Sequence, residues 1–143
     1  MTEIQRSALL PYPASKLFEL VNDIEAYPQF MDGCVGAQII ERQESIIEAR
    51  LDLARAGIRQ SFSTRNQLVG SEVIVLQLLE GPFDFFEGRW EFKALGPDAC
   101  KVSLALQFQV SGKLMGAAAG SLFDKATNNL VDAVSQRARA IYG

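Results

Sequence analysis

The chain has 143 residues, 48% of them apolar and 22% charged, with a net charge of −3 and no histidine. That length suits one domain with a real core, and no apolar run approaches the ~18 residues of a membrane span. The missing histidine removes Ser-His-Asp and Cys-His nucleophiles and the usual zinc sites, while the mildly acidic balance excludes nucleic-acid binding by bulk electrostatics.

Near the start, Glu3–Leu10 reads as a strand of imperfect alternation, because Arg6 shares the parity of Ile4 and Ala8. Pro11 and Pro13 end it, and Pro13 suits the first turn of a helix. Leu17, Leu20, Val21 and Ile24 follow at helical spacing, which predicts a short helix to about Asn22 and a second turn around Glu25–Phe30. The opening MTEIQRSALLPYP lacks a basic start and an apolar h-region, so no signal peptide is expected and the cytoplasm is the default compartment.

From Val35 to Val110 the pattern is that of six strands. Ile47, Ala49, Leu51 and Leu53 alternate with charged residues, as a half-buried strand requires. Ala56-Gly57 turns the chain into a strand with Ile58, Gln60, Phe62 and Thr64 on one face and Arg59, Ser61, Ser63 and Arg65 on the other. Val73–Leu79 is almost wholly apolar, the composition of a strand covered on both sides or paired centrally. Phe86, Gly88, Trp90 and Phe92 then share a face, as do Val102, Leu104, Leu106, Phe108 and Val110 after the turn at Gly96-Pro97-Asp98. Short turns between successive strands make an antiparallel meander, and no linker or repeat divides residues 1–143, so one domain is expected.

Leu114 to Tyr142 reads as one long helix, whose packing stripe runs through Phe123, Ala126, Leu130, Val134, Ala138 and Ile141. Its start, Gly112–Phe123, is rich in small residues including Gly116 and Gly120, which fits either close approach to the sheet or a helix end that loosens to admit a ligand. Seven strands at ~4.8 Å make a sheet roughly 33 Å wide, whereas a helix is only about 10–12 Å across. The sheet must curl around the helix, and a curled sheet can leave an apolar space beside it. The expected fold is therefore α+β: a curved antiparallel sheet of about seven strands wrapped around one long C-terminal helix, enclosing a pocket of at least ~300 Å³.

The side chains expected to line that pocket are Phe62, Trp90, Phe92, Leu104, Leu106, Phe108 and Phe123, with Gly120 at its mouth and Gln60 and Thr64 as sparse polar contacts. Glu48, Asp52, Glu87 and Glu91 fall on outward faces among Arg50, Arg59, Arg65 and Arg89, a pattern of ion pairs on a solvated sheet rather than of acid/base catalysis. Cys34 and Cys100 have no metal or redox spacing and are expected as buried, reduced thiols.

The run Val21-Asn22-Asp23-Ile24-Glu25-Ala26-Tyr27-Pro28-Gln29-Phe30 with Gly33-Cys34, then Thr64-Arg65-Asn66, Gly81-Pro82-Phe83 and Trp90-Glu91-Phe92, resembles the coenzyme Q-binding START-like (polyketide cyclase/dehydrase) family essentially end to end. Met31-Asp32 departs from it, since relatives often carry leucine and proline there. The resemblance implies the helix-grip fold and two functions. One is non-enzymatic binding of ubiquinone or a similar polyprenyl lipid in support of respiration, with a transient contact at the inner membrane. The alternative is a toxin that binds the large ribosomal subunit and blocks its joining to the small one, through Tyr27, Pro28 and Phe30 or through the exposed Arg59 and Arg65. A cyclase-type enzyme is a third reading, without a visible acid/base constellation. No required cofactor, metal or DNA partner is expected.

Overall fold

The structure, a computed structural model, describes residues 1–112 and 117–143. Strand β1 (Thr2–Leu10) leads into helix α1 (Ala14–Asn22) and a 3-10 turn (Ile24–Gln29). Six strands follow: β2 (Cys34–Arg42), β3 (Ile46–Arg55), β4 (Ile58–Val69), β5 (Val73–Glu80), β6 (Phe83–Ala94) and β7 (Cys100–Val110). Helices α2 (Ala117–Asn128) and α3 (Leu130–Tyr142) complete the chain. All seven strands form one sheet, in the order β1-β7-β6-β5-β4-β3-β2, with antiparallel neighbours throughout. This is the α+β helix-grip, START-like architecture: a meander from β2 to β7, with β1 added beside β7.

Local chemistry explains the meander. Ala56 and Gly57 sit at φ 53° and 82°, the two positive-φ positions of a type I′ hairpin turn. Register shifts at Cys34/Gly36, Ile39/Glu41, Ser63/Thr64 and Phe83/Phe85 interrupt the ladders, and such bulges bend a strand and strengthen its twist. Strand β5 is the central strand of the seven, which accounts for its apolar run. Its inward Ile74 is buried while Leu79 is 39% exposed, so central pairing, not two-sided cover, is the reason.

One layer of helix covers the inner face. Helix α1 packs on β6 and β7, α2 on β1, β3 and β4, and α3 on β1 and β7. Ile4, Leu53, Val102, Leu104, Phe108, Phe123 and Val134 form the driest part of the core.

The expected single helix is divided at Asn129. Thr127 Oγ1 donates to the Phe123 carbonyl at 2.7 Å, and Asn128 Nδ2 to the Asp124 carbonyl at 2.9 Å. Side chains that bond to the preceding turn compete with the backbone ladder and bend helices. Asn129 N still donates to the Lys125 carbonyl at 3.2 Å, and Ala133 N to the Asn129 carbonyl at 2.9 Å, so α3 continues α2 after a short irregularity. The expected beginning of the helix, at Leu114, lies outside the described residues, as does Gly116.

Phe123 is 2% exposed and packs its ring 4.7 Å from Phe83 and 5.9 Å from Phe62, centroid to centroid. Phe123→Ala should therefore cost about 3–5 kcal/mol of folding stability, read from the shift of the denaturant midpoint at constant slope.

Candidate functional site

The aromatic side chains that the sheet points inward do not all face open space. Phe62, Phe83, Phe86, Phe108 and Phe123 pack against one another, with ring centroids 4.7–5.9 Å apart in tilted and edge-to-face pairs. They plug the sheet where it meets α2. What remains open is a cavity of about 70 Å³, well below the ~300 Å³ expected from the sequence. It is also smaller than the ~150 Å³ cavity that accommodates benzene, and offers room for about two waters.

Five of the expected ligand contacts line this cavity: Phe62, Thr64, Trp90, Leu104 and Leu106. The others lie elsewhere. Phe92 is stacked on Trp90 at 6.1 Å and edge-on to Phe18 at 5.5 Å. Phe108 and Phe123 belong to the plug. Gln60 is half-buried opposite Leu53 on β3. Gly120 has no atom within 4 Å of the position a Cβ would take, so it makes no close approach to the sheet.

The cavity's polar end was not evident from strand alternation alone. Asn22, Asn66 and Thr127 line it beside Thr64, and the 3-10 turn contributes Tyr27. Thr64 Oγ1 donates to Asn66 Oδ1 at 2.7 Å. Asn22 Nδ2 donates to the Phe18 carbonyl at 2.9 Å, which leaves Asn22 Oδ1 buried with no partner among the described residues. Asn66 continues the inward parity of Thr64, so the β4 pattern contained that signal one step further on. Met31, the departure from the family pattern, is 5% exposed and lines the cavity. Its neighbour Asp32 pairs with Arg55 at 2.6 Å.

The surface candidates fare unequally. Tyr27 is buried, so it offers no docking surface; its hydroxyl donates to the Val21 carbonyl. Burial, with smaller contributions from Cys34 and Asp23, pushes the Tyr27 hydroxyl well above its ordinary range. Phe30 is half-buried, edge-on to Tyr27 at 5.4 Å and covered by the Arg137 guanidinium 5.5 Å from its ring. Pro28 is exposed.

On the outer sheet face Arg65 pairs with Glu48 at 2.7 Å, directly across the strands, and Arg50 with Asp52 at 3.0 Å. A hydrogen bond from Ser61, then Arg50 and Arg59, holds the Asp52 carboxyl below its usual range. Arg59 is exposed and has no ion pair among the described residues. The patch Arg50, Arg59, Arg65 against Glu48 and Asp52 thus carries a surplus of one positive charge.

Cys34 and Cys100 are buried free thiols, pushed above their ordinary range by that burial, the character of inert structural cysteines. Among the described residues no group of three His, Cys, Asp or Glu side chains converges as a metal site. No described helix is long and apolar enough to cross a membrane.

This fold and cavity have relatives. The family model described as polyketide cyclase / dehydrase and lipid transport matches residues 10–135, and the chain belongs to that family. The ribosome association toxin RatA of Pseudomonas aeruginosa is 49% identical over 142 residues, 99% of both chains. The mitochondrial coenzyme Q-binding protein COQ10 homolog B of Xenopus laevis is 20% identical over 145 residues, 99% of this chain and 59% of that protein. A solved START superfamily protein from Mycobacterium smegmatis superposes with a TM-score of 0.79 at 24% identity, over 97% of this chain and 98% of the other, a likeness of fold.

The buried phenol gives a pH test. Tyr27 stays protonated in the folded chain but ionises near its ordinary value of 10.0 when unfolded. Its contribution to stability is therefore complete below about pH 10 and is lost as pH rises towards the folded value. Urea midpoints measured from pH 8 to 11 should fall above pH 10, and Tyr27→Phe should flatten that fall while costing about 1 kcal/mol at pH 8.

Proposed function

We propose that this protein associates with the large ribosomal subunit and blocks its joining to the small one, acting in the cytoplasm through its outer surface and without bond-making chemistry of its own. The observation that carries this reading is the 49% identity, across 99% of both chains, with a protein named as a ribosome association toxin. The interior adds support, since about 70 Å³ of cavity is too little for a resident polyprenyl quinone.

The outer face offers the contact. Arg59 is the uncommitted cation there, and the Arg65–Glu48 pair is exposed enough to exchange its carboxylate for an RNA phosphate. With so small a net surplus of charge, phosphate contacts are few and the salt dependence is shallow. Exposed Pro28, beside the Phe30–Arg137 stack, is the second candidate contact.

A second reading is supported by the interior itself: an apolar cavity with an unpartnered acceptor at one end. In this reading the cavity takes a hydrophobic ligand, ubiquinone or a similar lipid, in support of respiration, collected by transient contact with the inner membrane. A ligand of that size requires rings of the phenylalanine plug to move. The similarity to COQ10 homolog B, at 20% identity, lends it weaker support than the ribosomal reading receives.

Reversing the two arginines separates the readings. Arg59→Glu with Arg65→Glu should weaken the block on subunit joining in sucrose-gradient profiles and leave any ligand content unchanged, because both side chains are outside the cavity. Undiminished blocking by the double variant would remove this patch as the ribosome contact and turn attention to Pro28.

A further inference from the structure

We propose that the polar end of the cavity is a hydroxyl-recognition site, so that its ligand is a neutral aromatic alcohol, a phenol or a reduced quinol, rather than a ring bearing carbonyl oxygens alone. This rests on the ligand-binding reading above and names the chemistry of its ligand.

The inference follows from where the protons are. Asn22 Nδ2 faces the Phe18 carbonyl at 2.9 Å. A carbonyl only accepts, so the orientation of this amide is fixed and its oxygen is the atom left bare in the cavity wall. The hydroxyls nearby have already spent their protons. Thr127 donates to the Phe123 carbonyl at 2.7 Å, Thr64 to Asn66 Oδ1 at 2.7 Å, and Tyr27 to the Val21 carbonyl. What Asn22, Thr64 and Thr127 present to the cavity is lone pairs. Opposite them stand the Asn66 amide and the Trp90 indole as the remaining N–H groups among the lining side chains.

A ligand carbonyl can accept from Asn66 or Trp90 but leaves Asn22 Oδ1 as bare as before. A hydroxyl can donate to Asn22 Oδ1 and accept from an N–H at the same time. Satisfying a buried, otherwise orphaned acceptor is the larger gain, about tenfold in affinity or more. Water fills this role in the empty cavity, which is polar and roomy enough at one end. A ring enters by displacing that water and pressing aside the half-buried Leu51, Leu76 and Phe86.

The test uses three probes of similar ring size: phenol, benzaldehyde and toluene. Each must displace the same wall side chains, so differences among them report the polar end. Trp90 is the only tryptophan, so the protein has a single indole N–H resonance with which to follow binding. Phenol should bind at least about tenfold more tightly than benzaldehyde or toluene. Asn22→Leu should erase that advantage and leave toluene affinity within about twofold.

Thr127→Val serves as the second variant, since it conserves side-chain shape without touching α1, and it should reduce the phenol advantage more modestly. Benzaldehyde binding as tightly as phenol, or a phenol advantage that survives both substitutions, would overturn the hydroxyl assignment while leaving the cavity a ligand site. A resonance that none of the probes moves would overturn the ligand-binding reading itself.

Discussion

Curvature is the constraint on which everything else in this molecule depends. A seven-stranded sheet with a single layer of helices on its inner face can bury that face only by curling, and the curl is closed where Phe62, Phe83, Phe86 and Phe108 of the sheet meet Phe123 of α2. The edge-to-face geometry lets these rings interlock instead of standing off from the helix. Both the stability of the grip and the small size of the interior cavity come from that one contact. An interior filled in this way leaves the outer surface as the place where a large partner can act.

The polar side chains follow a related logic. Those in the interior are satisfied locally, Thr127 by its own helix, Thr64 by Asn66 and Tyr27 by the carbonyl of Val21, and the amide oxygen of Asn22 is the exception. Buried polar groups are normally paired, so an exception beside a cavity carries information about what enters it. Outside, charges are also paired: Arg50 with Asp52, Arg65 with Glu48 and Arg89 with Glu91. Such exposed pairs contribute little to stability, and their carboxylates keep the sheet from becoming a strongly basic surface.

Much of this fold could be read from side-chain alternation. Period-two patterns place Ile47–Leu53, Phe86–Phe92 and Val102–Phe108 inward, and the structure has them so. Alternation says which way a side chain points, however, and not how much room it leaves. That is why Phe108 and Phe123, correctly turned inward, fill the space they were expected to line. Volume is set by contacts across the fold, between residues far apart in sequence. The break at Asn129 escaped the heptad-like stripe because apolar spacing continues across it. The Thr127-Asn128-Asn129 run, three side chains able to bond to backbone, was its local mark. Tyr27 looked like a loop aromatic because Pro28 follows it, yet the 3-10 turn folds its ring under α1. Asn22 was read as a helix end, and it is one; its second role depends on α2 closing over it from the other end of the chain.

Cosedimentation of the purified protein with large ribosomal subunits, with the quinone content of the sedimented protein read from the same sample, tests most directly whether the outer surface acts independently of the interior. If it does, about one protein sediments per subunit while carrying less than about a tenth of an equivalent of quinone, as expected of a cavity too small to hold a polyprenyl lipid. A protein that stays in the supernatant, or that sediments only in its quinone-loaded fraction, would contradict that claim.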